Sequence, residues 1–110
     1  MKPGRNYPKA ALRERVQFWI ERLHARPKVV RIQAMKRKWG SCSTRRVVTL
    51  SAELGAEPTS VQDVVIVHEL LHLKIRNHGR VFKALMSAHV PDWRRVDQLS
   101  CRLGNDQQAS

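Results

Sequence analysis

A small α+β domain is the fold class that this 110-residue chain predicts, and three observations carry it. The apolar residues change period along the chain: helical spacing before residue 27, short β-branched runs between 28 and 54, and helical spacing again after 60. The length suffices for one small core and not for two. With 42% hydrophobic residues, the composition suits a folded globule. One domain over residues 1–104 is expected, followed by a polar tail at 105–110.

The elements follow in order. Leu12, Val16, Trp19, Ile20 and Leu23 share one face of a helix bracketed by Pro8 and Pro27. "KVVRIQAM" (28–35) and "VVTLSAEL" (47–54) read as two short antiparallel strands, joined through the turn-like "KRKWGSCSTRR" as a hairpin or by a longer loop. Pro58, Thr59 and Ser60 precede a long apolar run, and Ser60 with Asp63 has the pattern of a capping box, so a helix is expected from about Val61 to about Ile75. Asn77, His78 and Gly79 interrupt it. "RVFKALMSAHV" then resumes a helical pattern up to Pro91, and Trp93, Val96, Leu99 and Leu103 mark a last short helix ending near Gly104.

Charge is spread unevenly. Residues 1–55 hold 14 basic and 3 acidic side chains (net +11), and residues 56–110 hold 7 and 6 (net +1). Such a basic half attracts nucleic acid, nucleotides or other polyanions. No stretch approaches the roughly 20 apolar residues that span a bilayer, so no membrane partner is expected. The N-terminus lacks an apolar signal-peptide core, which points to a cytoplasmic location. Cys42 and Cys101 stand far apart and read as reduced thiols rather than a disulfide framework.

"VVIVHELLHLKIRNHG" (64–79) is the most apolar segment and carries two histidines and a glutamate. At about 100° per residue, His68 and His72 fall one turn apart on one helical face and can grip one ion. Glu69 lies off that line, near a water on the ion, which makes it a general base rather than a ligand; this is the H-E-x-x-H pattern of zinc hydrolases. A catalytic zinc takes a third protein ligand and keeps one position open. No glutamate follows Glu69, leaving His78, His89, Asp92 and Asp97 as candidates. His78 can turn back towards the ion, with Gly79 easing the turn, and His89 is the runner-up or an oxyanion-stabilising group.

"VVIVHELLHLKIRNHGRVF" together with "RKWGSCS" resembles the YgjP-like metallopeptidase domain, a zincin family related to SprT-like and WSS-type metalloproteases; "PDW" (91–93) is a weaker third match. The resemblance implies a small zincin-like fold and Zn2+ on His68, His72 and His78, with Glu69 as catalytic base and Trp39 to Cys42 on the sheet beside the cleft.

The expected activity is therefore a zinc metallopeptidase, in which a Glu-activated, zinc-bound water cleaves a peptide or protein substrate. An exposed strand near "WGSCS" would align that peptide. Arg76, Arg80, His89 and Tyr7 are candidate oxyanion partners, and Trp39 is either a substrate contact or a core residue. Two rival readings remain at this level. One is metal-dependent hydrolysis of a nucleotide phosphoanhydride. The other is a basic nucleic-acid-binding module whose structural zinc takes Cys42 as fourth ligand.

Overall fold

A computed structural model describes residues 9–99 of the chain. The order is α1 (Lys9–Leu23), β1 (Val29–Gln33), β2 (Gly40–Cys42), β3 (Val47–Ser51), a 3-10 helix (Ala52–Ala56), α2 (Thr59–Leu71), α3 (Arg80–His89) and α4 (Trp93–Leu99). The α+β class holds, with one three-stranded sheet against helices. The last expected residues of α4, the tail at 105–110, Tyr7 and Cys101 lie outside the described residues. No described helix is long and apolar enough to cross a membrane.

The sheet departs from the expected antiparallel pairing of two strands. Its order is β1-β3-β2, with β1 and β3 parallel, Val30 opposite Val48 and Ile32 opposite Leu50. The antiparallel pair is β2 with β3, Gly40 opposite Leu50 and Cys42 opposite Val48. The physical reason is the segment read as a turn. It contributes a strand of its own, which takes the far side of β3 and forces β1 onto the near side in the parallel sense, since parallel strands need a crossover between them. The expected strand 47–54 also stops at Ser51, whose hydroxyl accepts from Glu53 N–H at 3.2 Å and starts the 3-10 helix.

Cross-strand neighbours share a face, so Val30, Ile32, Val48, Leu50, Gly40 and Cys42 look the same way. That face packs on α2. Ile32, Val48 and Leu50 are buried on it, while Val29, Arg31 and Gln33 are exposed on the other. From Val64 to His72 every residue of the helix region is at most 5% exposed, which places α2 in the middle of the molecule, with α1, α3, α4 and the sheet around it.

The expected capping box does not form. Pro58 is the residue before the first turn, with no side-chain cap. Asp63 instead reaches across to α1, where Arg15 Nε and Nη2 donate to its two oxygens at 2.6 and 2.9 Å, and Trp19 Nε1–H donates to Oδ1 at 2.9 Å. Trp19 is buried, and an indole N–H inside a core needs an acceptor.

Asp63→Ala leaves that indole N–H and the guanidinium without their acceptor, so urea unfolding should show a loss of about 2 kcal/mol. Asp63→Asn keeps an acceptor for Trp19 and should lose less.

Candidate metal centre

His68 and His72 project from the same face of α2, as their spacing requires, and the rings lie 4.8 Å apart between centroids. His72 ends the helix. Beyond it the chain tightens, with His72 N–H on Glu69 O at 3.2 Å, Leu73 N–H on Leu70 O at 3.1 Å and Lys74 N–H on Leu71 O at 3.0 Å. The expected helix to Ile75 therefore stops four residues early, and this tighter winding is what returns His78 to the other two rings. Gly79 eases the turn through close approach and not through a left-handed φ: its φ of −81° is open to any residue, but a Cβ there would stand 2.9 Å from Asn77 Oδ1, the atom that accepts Gly79 N–H at 2.9 Å and holds the bend.

Two tautomers are fixed by their surroundings. His72 Nδ1 faces the Ile75 carbonyl oxygen at 2.9 Å, and since a carbonyl can only accept, that nitrogen carries the proton and Nε2 is bare. His68 Nδ1 faces Glu69 Oε2 at 3.1 Å. With the carboxylate accepting, His68 Nε2 is bare too. Both bare nitrogens meet His78 Nε2, at 2.9 Å from His72 and 3.1 Å from His68, and the three ligand atoms all lie within 4.8 Å of one another.

This donor set fits a divalent cation. One proton on His78 Nε2 can serve only one of the two bare nitrogens at a time, whereas a cation takes a lone pair from all three. Tetrahedral ligands about 2.0–2.1 Å from zinc are about 3.3 Å apart, near the 2.9 and 3.1 Å that separate His78 Nε2 from the other two. Two of the imidazoles are buried and the third half-buried. Outward partners on Nδ1 of the kind seen for His68 and His72 are the usual way a metal-binding histidine is oriented.

Phe82 builds the other wall. This buried ring is stacked on His72 at 5.0 Å and stands edge-on to His68 and His78 at 5.3 and 4.8 Å. The sequence reading assigned it no role; its signal was the spacing to Met86, four residues on, which sets the buried face of α3.

Glu69 is fully buried beside the histidines, against β2. A Cβ on Gly40 would stand 3.0 Å from Glu69 Cγ, 3.1 Å from Thr49 O and 3.2 Å from Leu50 Cδ2, so only glycine lets the strand come this close. Gly40 was also missed as an individual residue, because a glycine in a turn-like stretch reads as a turn.

Arg76 ties β2 to the end of α2. Its Nη2 donates to Cys42 O at 3.0 Å and its Nη1 to His72 O at 3.2 Å. Arg76 thus clamps the strand to the end of the helix. Cys42 Sγ lies 3.7 Å from Arg76 Nη1 and stands outside the cluster of three histidines. Burial, and then the charge of Glu69, push its thiol above the ordinary value, opposite to what a thiolate ligand needs. Cys42 as fourth ligand finds no support.

His89 does not join the site. It ends α3 and stands edge-on to Trp19, 6.1 Å between centroids, because the turn at Val90 holds it beside α1. Trp39 is buried and its backbone oxygen accepts Ser51 N–H at 2.8 Å, so it serves the sheet and core. Arg80 is exposed at the start of α3, and Asp92 lines a cavity beside Trp19 and His89.

Comparison with solved structures shows the same fold in two proteins. One is the metallopeptidase zymogen jannalysin of Methanocaldococcus jannaschii, with a TM-score of 0.63 at 24% identity over 71% of this chain and 80% of that one. The other is the metallopeptidase zymogen abylysin of Pyrococcus abyssi, with 0.65 at 19% identity over 83% and 96%. Among curated proteins no sequence matches significantly. The family model of the YgjP-like, metallopeptidase domain matches residues 4–99, which takes in every described residue and the whole of the histidine cluster, and the protein therefore belongs to that metallopeptidase family.

Proposed function

We propose that the chain is a zinc-dependent peptidase in which His68, His72 and His78 hold the ion and Glu69 is the general base. The observation that carries this is the meeting of three imidazole Nε2 atoms, two of them left bare by the partners on their Nδ1 atoms, beside a buried carboxylate. Zinc, when bound, supplies Lewis acidity and brings the pKa of water towards about 7. Glu69 takes a proton from the attacking water and delivers it to the leaving amine nitrogen.

The substrate runs along β2. Trp39 O and Ser43 N–H both bond to β3, and in an antiparallel pair such residues alternate. Gly40 and Cys42 thus direct their backbone groups at the open edge. Arg76 occupies Cys42 O, which leaves Cys42 N–H at that edge for an extended peptide, while Gly40 is buried against Glu69 beside it. This pairing explains how a site with few polar side chains can hold a main chain.

Glu69→Gln should lower the kcat for peptide hydrolysis by about 10²–10⁴-fold while zinc content, read by elemental analysis, stays at one per chain. His78→Ala should instead lose the zinc. Retained activity in the Glu69 variant would reject the base assignment. Gly40→Ala pushes against Glu69 Cγ and should reduce kcat by at least about tenfold with zinc retained. Arg76→Ala frees Cys42 O and loosens β2, so KM should rise more than kcat falls in steady-state assays.

A further inference from the structure

Among the described residues, two have left-handed backbone without being glycine, His24 at φ 54° and Arg46 at φ 68°. Each stands where glycine or asparagine is the usual occupant. His24 closes α1, its N–H on Glu21 O and Ala25 N–H on Ile20 O. Arg46 ends the β2–β3 turn, its N–H on Ser43 O, the place a bulged hairpin gives to glycine. Both side chains line one cavity of about 250 Å3, together with Arg26, Leu73 and Lys74. A side chain at positive φ is less stable than glycine there. These two positions bring an imidazole and a guanidinium to the same cavity.

A second cavity, of about 310 Å3, shares His24 and Lys74 with the first, and adds Arg22 and an apolar wall that includes Leu70, Leu71 and Leu85. No Asp or Glu lines either cavity among the described residues. From Arg22 to Ala52 the chain has nine Lys and Arg and no acidic residue. These cations are not required to finish α2, whose last carbonyls already accept from the backbone N–H groups of residues 72–75. The Arg46 guanidinium donates to Arg26 O, which fixes it at the rim.

We propose that this trough binds single-stranded nucleic acid, with phosphates on Arg26, Arg46 and Lys74 and a base against the apolar wall beside Arg22. A lone inorganic anion would need the cationic cavity only, and a duplex has no unstacked base to offer the apolar one. Backbone phosphates with free bases fit both halves.

The test is fluorescence anisotropy of a labelled oligo-dT of about 20 nucleotides with the full chain loaded with zinc, over roughly 50–200 mM NaCl. Binding with a log–log salt slope near about −2, from three phosphates at about 0.7 each, is expected. Arg46→Gly suits the backbone at that φ and removes the cation; combined with Lys74→Gln it should weaken binding at least about tenfold and flatten the slope by about 1.4. Arg46→Lys should restore most of the loss, and the pair Lys9→Gln with Lys83→Gln, outside the trough, should change affinity less than about twofold. No binding by the parent chain, equal losses in both pairs, or equal binding of a duplex or of polyglutamate would overturn the assignment. Binding is read without hydrolysis, so neither result bears on the peptidase reading.

Discussion

The structure depends on two protons held away from one point. His68 and His72 each turn Nδ1 outward to an acceptor, Glu69 Oε2 and Ile75 O, and so present bare Nε2 atoms to His78. An imidazole inside a core is costly unless both nitrogens have partners, and here one partner of each ring is fixed by the fold. Helix α2 can be central and still carry these groups because it ends at His72. Had it continued, Ile75 O would have been committed to the helix ladder and His78 would have been carried past the site.

The second constraint is how near the sheet comes. Gly40 lets β2 approach Glu69 to a distance that a side chain at that position would reach into, and Arg76 joins the strand to the carbonyl of a histidine in the cluster. The wall facing the carboxylate, the edge open to a peptide and the end of the metal helix are thereby one mechanical unit. Phe82 closes the opposite side with its ring against all three imidazoles. An apolar wall at that place strengthens the attraction between a cation and its ligands, because it lowers the local dielectric.

What the sequence revealed, and what it hid, follows from the range of each interaction. His68, Glu69 and His72 are set by helical period alone, so their relative placement was legible. His78 was one candidate among four, favoured by its place just past the helix break and then by the family resemblance, because the tightened turn that brings it back has no period to read. Three residues of Gly, Ser and Cys offer no alternation to read, so the residue pattern passed β2 for a turn and only the family resemblance put Trp39 to Cys42 on the sheet; the parallel pairing of β1 with β3 was hidden from both. Ser60 and Asp63 had the local pattern of a cap, but a buried indole N–H and an arginine fork across the core outweigh one helix-end bond. His89 carried the right chemistry, and tertiary packing placed it against Trp19 instead.

The metal cluster and the basic trough are built on one segment. Residues 72–78 supply His72 and His78 to the cluster, Arg76 to the strand clamp, and Leu73 and Lys74 to the cationic cavity. On the sheet side, Cys42 meets the clamp and Arg46 meets the cavity four residues later. The described residues pack around one central helix, so a second binding surface beside the end of that helix cannot be independent of the first. Anything that shifts the backbone between His72 and His78 must move a metal-site imidazole and a trough lysine together, and this shared segment is where coupling between the two surfaces would arise.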